Sequence, residues 1–195
     1  MKKEEIIRLK ETFRNKQTSA YQQLKKDLLF PKIPLAFQKE MLEFSLKKGE
    51  KAFYLVKEKY GVEVLKICEK LNVKLFLESG KNKIGNLIFL SRYEKNPPSI
   101  IIYEKSLRFL NKFSEFSECN ILNIAIAHEI FHHLEETEIG KTYSNYKIKF
   151  WSIGNFSFNV YPTVLSEIAA NNFSQLLNSI PFSPYIFNCI LENAF

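Results

Sequence analysis

All three histidines of the 195-residue chain fall between positions 128 and 133, in the run Ala127-His128-Glu129-Ile130-Phe131-His132-His133. On a helix, residues i and i+4 lie about 40° apart around the axis, so the imidazoles of His128 and His132 can reach one cation. Glu129 directly follows the first histidine, where its carboxylate can turn toward water on that cation. This is the pattern of a zinc site with a neighbouring carboxylate as general base. The run before it, Ile121-Leu122-Asn123-Ile124-Ala125-Ile126-Ala127, is apolar on nearly every face and carries the helix through a core. An unpaired His-Glu-His group would be costly to desolvate there, and a divalent ion would relieve the cost.

A catalytic zinc takes three protein ligands and leaves one position for water. The sequence offers two sources for the third. Glu138 lies six residues beyond His132, but ligation at that spacing needs the helix to end at a Gly where this chain has Glu135. The better candidate is Glu167, in Ser166-Glu167-Ile168-Ala169-Ala170-Asn171-Asn172-Phe173, where Glu167 and Asn171 share one face of a second helix. Glu167 would coordinate the ion. Asn171 would accept a hydrogen bond from the far ring nitrogen of a ligand histidine and fix its tautomer. Two imidazoles and a carboxylate suit Zn²⁺ and are compatible with manganese or iron. With every histidine inside the motif, a tyrosine is left to stabilise an oxyanion, and Tyr143, Tyr146 and Tyr161 are the nearest in sequence.

His-Glu-Ile-Phe-His followed by Glu-x-x-Ala-Asn-x-Phe-Ser resembles the ImmA/IrrE family of metallo-endopeptidases over roughly residues 55 to 181. The resemblance implies a zincin-like, gluzincin-type peptidase with His128, His132 and Glu167 as ligands and Glu129 as catalytic acid and base. It also implies a protein substrate, a DNA-binding helix-turn-helix repressor whose cleavage relieves transcriptional repression. Phe131 stands where the family has a small residue. A rival reading is therefore a zincin-fold regulatory module, weak or inactive as a catalyst, that acts by binding a protein partner, with Phe131 narrowing the cleft.

Several elements must position these residues. From Lys3 to Phe30 apolar residues at three- and four-residue spacing predict one or two amphipathic helices, closed by Pro31 and Pro34. A helix follows from about Leu35 to Tyr60, with Gly49 as a candidate interruption, and a shorter one runs to Leu71. Residues 73–77, 87–90 and 100–103 read as three strands of a small, mainly antiparallel sheet. A short helix leads into the motif helix, which ends near Glu136; residues 137–162 read as a loop or hairpin, and a last helix covers about Thr163 to Asn178. The fold class is α+β, with an N-terminal basic helical segment over 1–50 and a zincin-like domain over 51–195. Substrate is expected to lie extended along a sheet edge, at the Ser99–Tyr103 strand.

The hydrophobic fraction of 46% supplies a core, and 6 Gly and 7 Pro exclude collagen-like and low-complexity classes. The net charge of +7 is carried by residues 1–70. Its lysines interleave with glutamates, which reads as a solvated helix face rather than a nucleic-acid surface. No span is long and apolar enough for a membrane helix, and the start Met-Lys-Lys-Glu-Glu lacks the apolar core of an export signal. Cys68, Cys119 and Cys189 have no CxxC spacing and read as reduced thiols. These features predict a cytoplasmic protein.

Overall fold

Asn15 separates the N-terminal amphipathic stretch into two helices, α1 (Lys3–Thr12) and α2 (Lys16–Lys26); its side chain accepts the Thr18 N–H and caps the second. The computed structural model describes residues 3–80, 83–84, 87–117, 120–153 and 156–193. Helix α3 (Leu35–Tyr60) follows Pro34, and α4 (Val64–Lys70) follows Gly61. Five strands come next: β1 (Lys74–Glu78), β2 (Lys83–Ile84), β3 (Leu87–Ile88), β4 (Ser91–Glu94) and β5 (Ser99–Tyr103). Helices α5 (Glu104–Leu110) and α6 (Ile121–Thr137) precede a hairpin of β6 (Ile148–Ile153) and β7 (Phe156–Val160). The chain then forms α7 (Val164–Leu177) and α8 (Tyr185–Glu192). The last of these has no counterpart in the sequence reading; Pro184 caps its start and most of its side chains are buried.

The architecture is α+β, mostly helical with a small mixed sheet. Its three strands lie in the order β1-β5-β4, with β1 parallel and β4 antiparallel to β5. This corrects the mainly antiparallel expectation for that sheet. The long connection between β1 and β5 permits the crossover that a parallel pair requires. It also corrects the choice of strands, because Leu87–Ile88 pairs with Lys83–Ile84 in a separate hairpin. The third strand is Ser91-Arg92-Tyr93-Glu94, every residue of it half-buried, and so without the apolar run or alternation that marks a strand. Strand β5, with both edges paired, is the centre of the sheet and not an edge open to substrate.

Helix α6 lies on this sheet, and its Ile124, Ile126, Ala127, Ile130, Phe131 and Leu134 belong to the main core. The boundary expected between residues 50 and 51 falls inside the unbroken α3. A second core cluster joins Ala20 and Leu24 of α2, Met41 and Leu42 of α3, and Leu165 and Ile168 of α7, so the basic N-terminal segment forms a wall behind α7. Gly49 is the contact that sets this wall's distance. A Cβ at that position would sit 2.4 Å from the Ala169 carbonyl oxygen and 3.2 Å from Asn172 Cβ. Gly49→Ala is therefore expected to push α3 from α7 and cost about 1–3 kcal/mol, read as a lowered melting temperature; an unchanged one would mean that the helices separate freely.

Cys68 and Cys189 are free and buried, while Cys119 lies outside the described residues. No helix among the described residues is long and apolar enough to cross a membrane.

Candidate metal centre

Helices α6 and α7 run antiparallel, and their facing side chains meet in a ladder. Ser174 Oγ donates to the Ile124 carbonyl at 2.7 Å. One turn further along α6, His128 Nδ1 lies 3.2 Å from Asn171 Oδ1. The next turn brings His132 Nε2 to 3.3 Å from Glu167 Oε1, and Ser166 Oγ donates to Glu135 at 2.7 Å. The residues read from the sequence as metal ligands thus occupy successive rungs of one helix pair. Asn120 starts α6 in register by accepting the Asn123 N–H.

Three ligand atoms converge. His128 Nε2 and His132 Nε2 are 3.2 Å apart, and His128 Nε2 lies 3.2 Å from Glu167 Oε2. One ligand atom from each of His128, His132 and Glu167 lies within 4.8 Å of the others, and among the described residues no second group of this kind occurs. Both histidines present the same nitrogen. The Nδ1–H of His128 faces Asn171 Oδ1, and the Nδ1–H of His132 faces Glu135 Oε2 at 3.4 Å. With Nδ1 protonated, Nε2 keeps a lone pair, which is the tautomer a ligand needs. The donor set of two imidazoles and one carboxylate, each imidazole braced from behind, fits a divalent transition metal such as zinc.

Sequence reasoning did not find the brace of His132. Glu135, in a run of acids that reads as solvent-facing, is 2% exposed. Its carboxylate accepts the Thr142 N–H at 2.8 Å, the Thr142 hydroxyl at 2.5 Å and the Ser166 hydroxyl at 2.7 Å, besides facing His132. Burial raises its pKa, but His132, Thr142 and Ser166 outweigh that and hold it below the usual carboxylate value. The other brace is longer than expected, since Asn171 Nδ2 donates to Gln23 Oε1 of α2 at 2.9 Å. Glu135→Gln and Asn171→Leu should each weaken metal binding about 10- to 100-fold, measured by competition with a chromophoric chelator. Unchanged affinity in both would deny the two residues that role.

Charge organises the cluster. Burial works against protonation of His132, yet the Glu167 carboxylate and the hydrogen bonds to Glu135 and Glu167 raise its pKa to about 10. Glu167 has a half-exposed side chain; the loss of water on its cluster side works to raise its pKa, but His132 and His128 hold it well below the carboxylate range. His132 and Glu167 thus form an ion pair, with His132 Nε2 3.3 Å from Glu167 Oε1.

Glu129 is 5% exposed and accepts the Ser91 hydroxyl at 2.7 Å, a partner supplied by β4. It lines, with His128, His132 and Glu167, a cleft of about 480 Å³ bounded by β4 on one side and by α7 and α8 on the other. His133, the third histidine, turns away from the cluster: its Nδ1 is 3.0 Å from the Tyr93 hydroxyl, and burial lowers its pKa.

Other sequence candidates lie elsewhere. Glu138 pairs with Lys59 at 2.9 Å and accepts from Tyr60 at 3.1 Å, which removes it as the third ligand. Tyr143 packs on Tyr161, Tyr146 donates to Glu40, and none of these three lines the cleft. The tyrosine on the cleft wall is Tyr93. Phe131 does not narrow the cleft, being fully buried beneath it against Phe173.

Comparison with protein-family models, curated proteins and solved structures gave no match for this chain.

Proposed function

We propose that this protein is a metal-dependent endopeptidase, with zinc as its ion and a protein as its substrate. The observation that carries the reading is the convergence of His128, His132 and Glu167 around one point, beside a buried carboxylate that is not one of the three. A divalent ion held there would supply Lewis acidity to water and to the scissile carbonyl. Glu129 would accept the proton of the attacking water and return it to the leaving amine, acting as base and then acid. Ser91 holds one Glu129 oxygen and leaves the other to work. His128, His132 and Glu167 would hold the ion, and Asn171 and Glu135 would keep both rings in the ligating tautomer.

An extended segment of substrate would add to the outer edge of β4. That strand lines the cleft and, among the described residues, pairs with β5 alone, so its outer backbone groups can bond a peptide main chain. The substrate class we favour is a helix-turn-helix transcriptional repressor, on the strength of the motif resemblance. The test is digestion of a proteome-derived peptide library, read by mass spectrometry, with zinc and with a chelator. New cleavages with zinc that vanish with chelator are expected; a digest unchanged by zinc would contradict the reading.

A further inference from the structure

Strand β1 forms the edge of the sheet opposite β4 and, among the described residues, no strand pairs with its outer side. Its sequence is Lys74-Leu75-Phe76-Leu77-Glu78. Leu75, Phe76 and Leu77 are 38%, 50% and 61% exposed, although Leu75 and Leu77 sit in register with the buried Ile100 and Ile102 of β5. Open strand edges are usually blunted by central charges, prolines or bulges, and the middle of β1 has none.

The backbone register shows which groups are available. Lys74 N–H donates to the Pro98 carbonyl on the β5 side. In a parallel ladder the groups of alternate residues point the same way, so Phe76 and Glu78 also face β5, while the N–H and C=O of Leu75 and Leu77 point outward. A second β1 laid antiparallel about Phe76 places Leu75 opposite Leu77 twice. Each such pair exchanges two backbone hydrogen bonds. Phe76 then faces Phe76 of the second copy across a close, non-hydrogen-bonded pair, and each Lys74 faces a Glu78. No salt bridge among the described residues uses either Lys74 or Glu78, while cross-strand pairs of opposite charge stabilise a sheet. The segment is complementary to itself in hydrogen bonding, apolar contact and charge.

We propose that β1 is a homodimer interface, at which two copies join their three-stranded sheets into one of six strands about a two-fold axis at Phe76. The interface lies on the opposite edge of the sheet from β4 and contains none of His128, His132 and Glu167.

Sedimentation velocity of the full chain over a range of concentrations tests it, with circular dichroism to verify folding. The wild-type chain should be a reversible dimer. Lys74→Glu and Glu78→Lys should each place like charges opposite one another at two sites and raise the dimer dissociation constant about tenfold. The double variant K74E/E78K should restore it. Phe76→Cys should give a covalent dimer on oxidation where the wild-type chain does not, because a non-hydrogen-bonded antiparallel pair lies within disulfide reach. A monomer at every concentration would overturn the proposal, including one that captures a different strand-forming peptide along β1. So would a dimer indifferent to the charge changes, or one that the double variant fails to restore.

Discussion

Glu129→Gln is expected to reduce peptide hydrolysis by about 10²- to 10⁴-fold while leaving metal content unchanged. Glu129 is not among the converging ligand atoms, so the ion should remain. Glutamine has nearly the same shape and can still accept the Ser91 hydrogen bond, so the cleft should keep its form. What it loses is the ability to take up and return a proton at neutral pH. The measurement is turnover of a cleaved peptide by metal-replete variant and wild-type proteins, with elemental analysis of both. Turnover within a few-fold of wild type would remove Glu129 from the mechanism, even if the metal centre stands.

Metal should stabilise the fold by about 4 kcal/mol when present at a thousandfold excess over its dissociation constant, a rise of roughly 10 °C in melting temperature for a chain of this length. Chelator should reverse the rise, and His128→Ala should abolish it. The ligands come from two helices, α6 and α7, so the ion would bind the folded chain and not the unfolded one, which is the condition for this linkage. Its pH dependence has a definite sign. In the metal-free chain the His132 pKa is raised from 6.5 to about 10, so its protonation stabilises that form fully below about 6.5 and ceases to do so as pH rises through about 10. Binding metal requires the neutral ring, and uptake at neutral pH expels the proton. Apparent affinity should then climb about tenfold per pH unit up to about pH 10 from this group alone. Calorimetry in buffers of different ionisation enthalpy would detect the released proton. Metal-induced stabilisation unaffected by His128→Ala would place the bound ion elsewhere.

The site was more legible in the sequence than the sheet. His128, His132, Glu167 and Asn171 could be read because helical spacing converts directly into a shared face, and each helix carried its pair at i and i+4. Their meeting across two helices followed from chemistry rather than pattern. Glu135 could not be read, since a carboxylate in Glu135-Glu136-Thr137-Glu138 looks solvated. Only the fold brings Thr142 and Ser166 around it. Gln23 was equally hidden, because nothing local in α2 points to Asn171, 148 residues away. In the sheet, the apolar Leu87–Leu90 run resembled a core strand while the polar β4 did not, yet β4 is the strand that pairs with β5. There its polar side chains are used, Ser91 on Glu129 and Tyr93 on His133. Gly49 shows the same limit: it looks like a helix breaker, and becomes a contact point only once Ala169 lies against it.

The most direct test is the metal content of purified wild-type protein and of Glu167→Ala, by elemental mass spectrometry after zinc addition and dialysis. About one zinc per wild-type chain, lost or greatly reduced in the variant, is the result that a His128, His132 and Glu167 centre predicts. A wild-type chain that retains no metal, or a variant that retains as much as wild type, would contradict it.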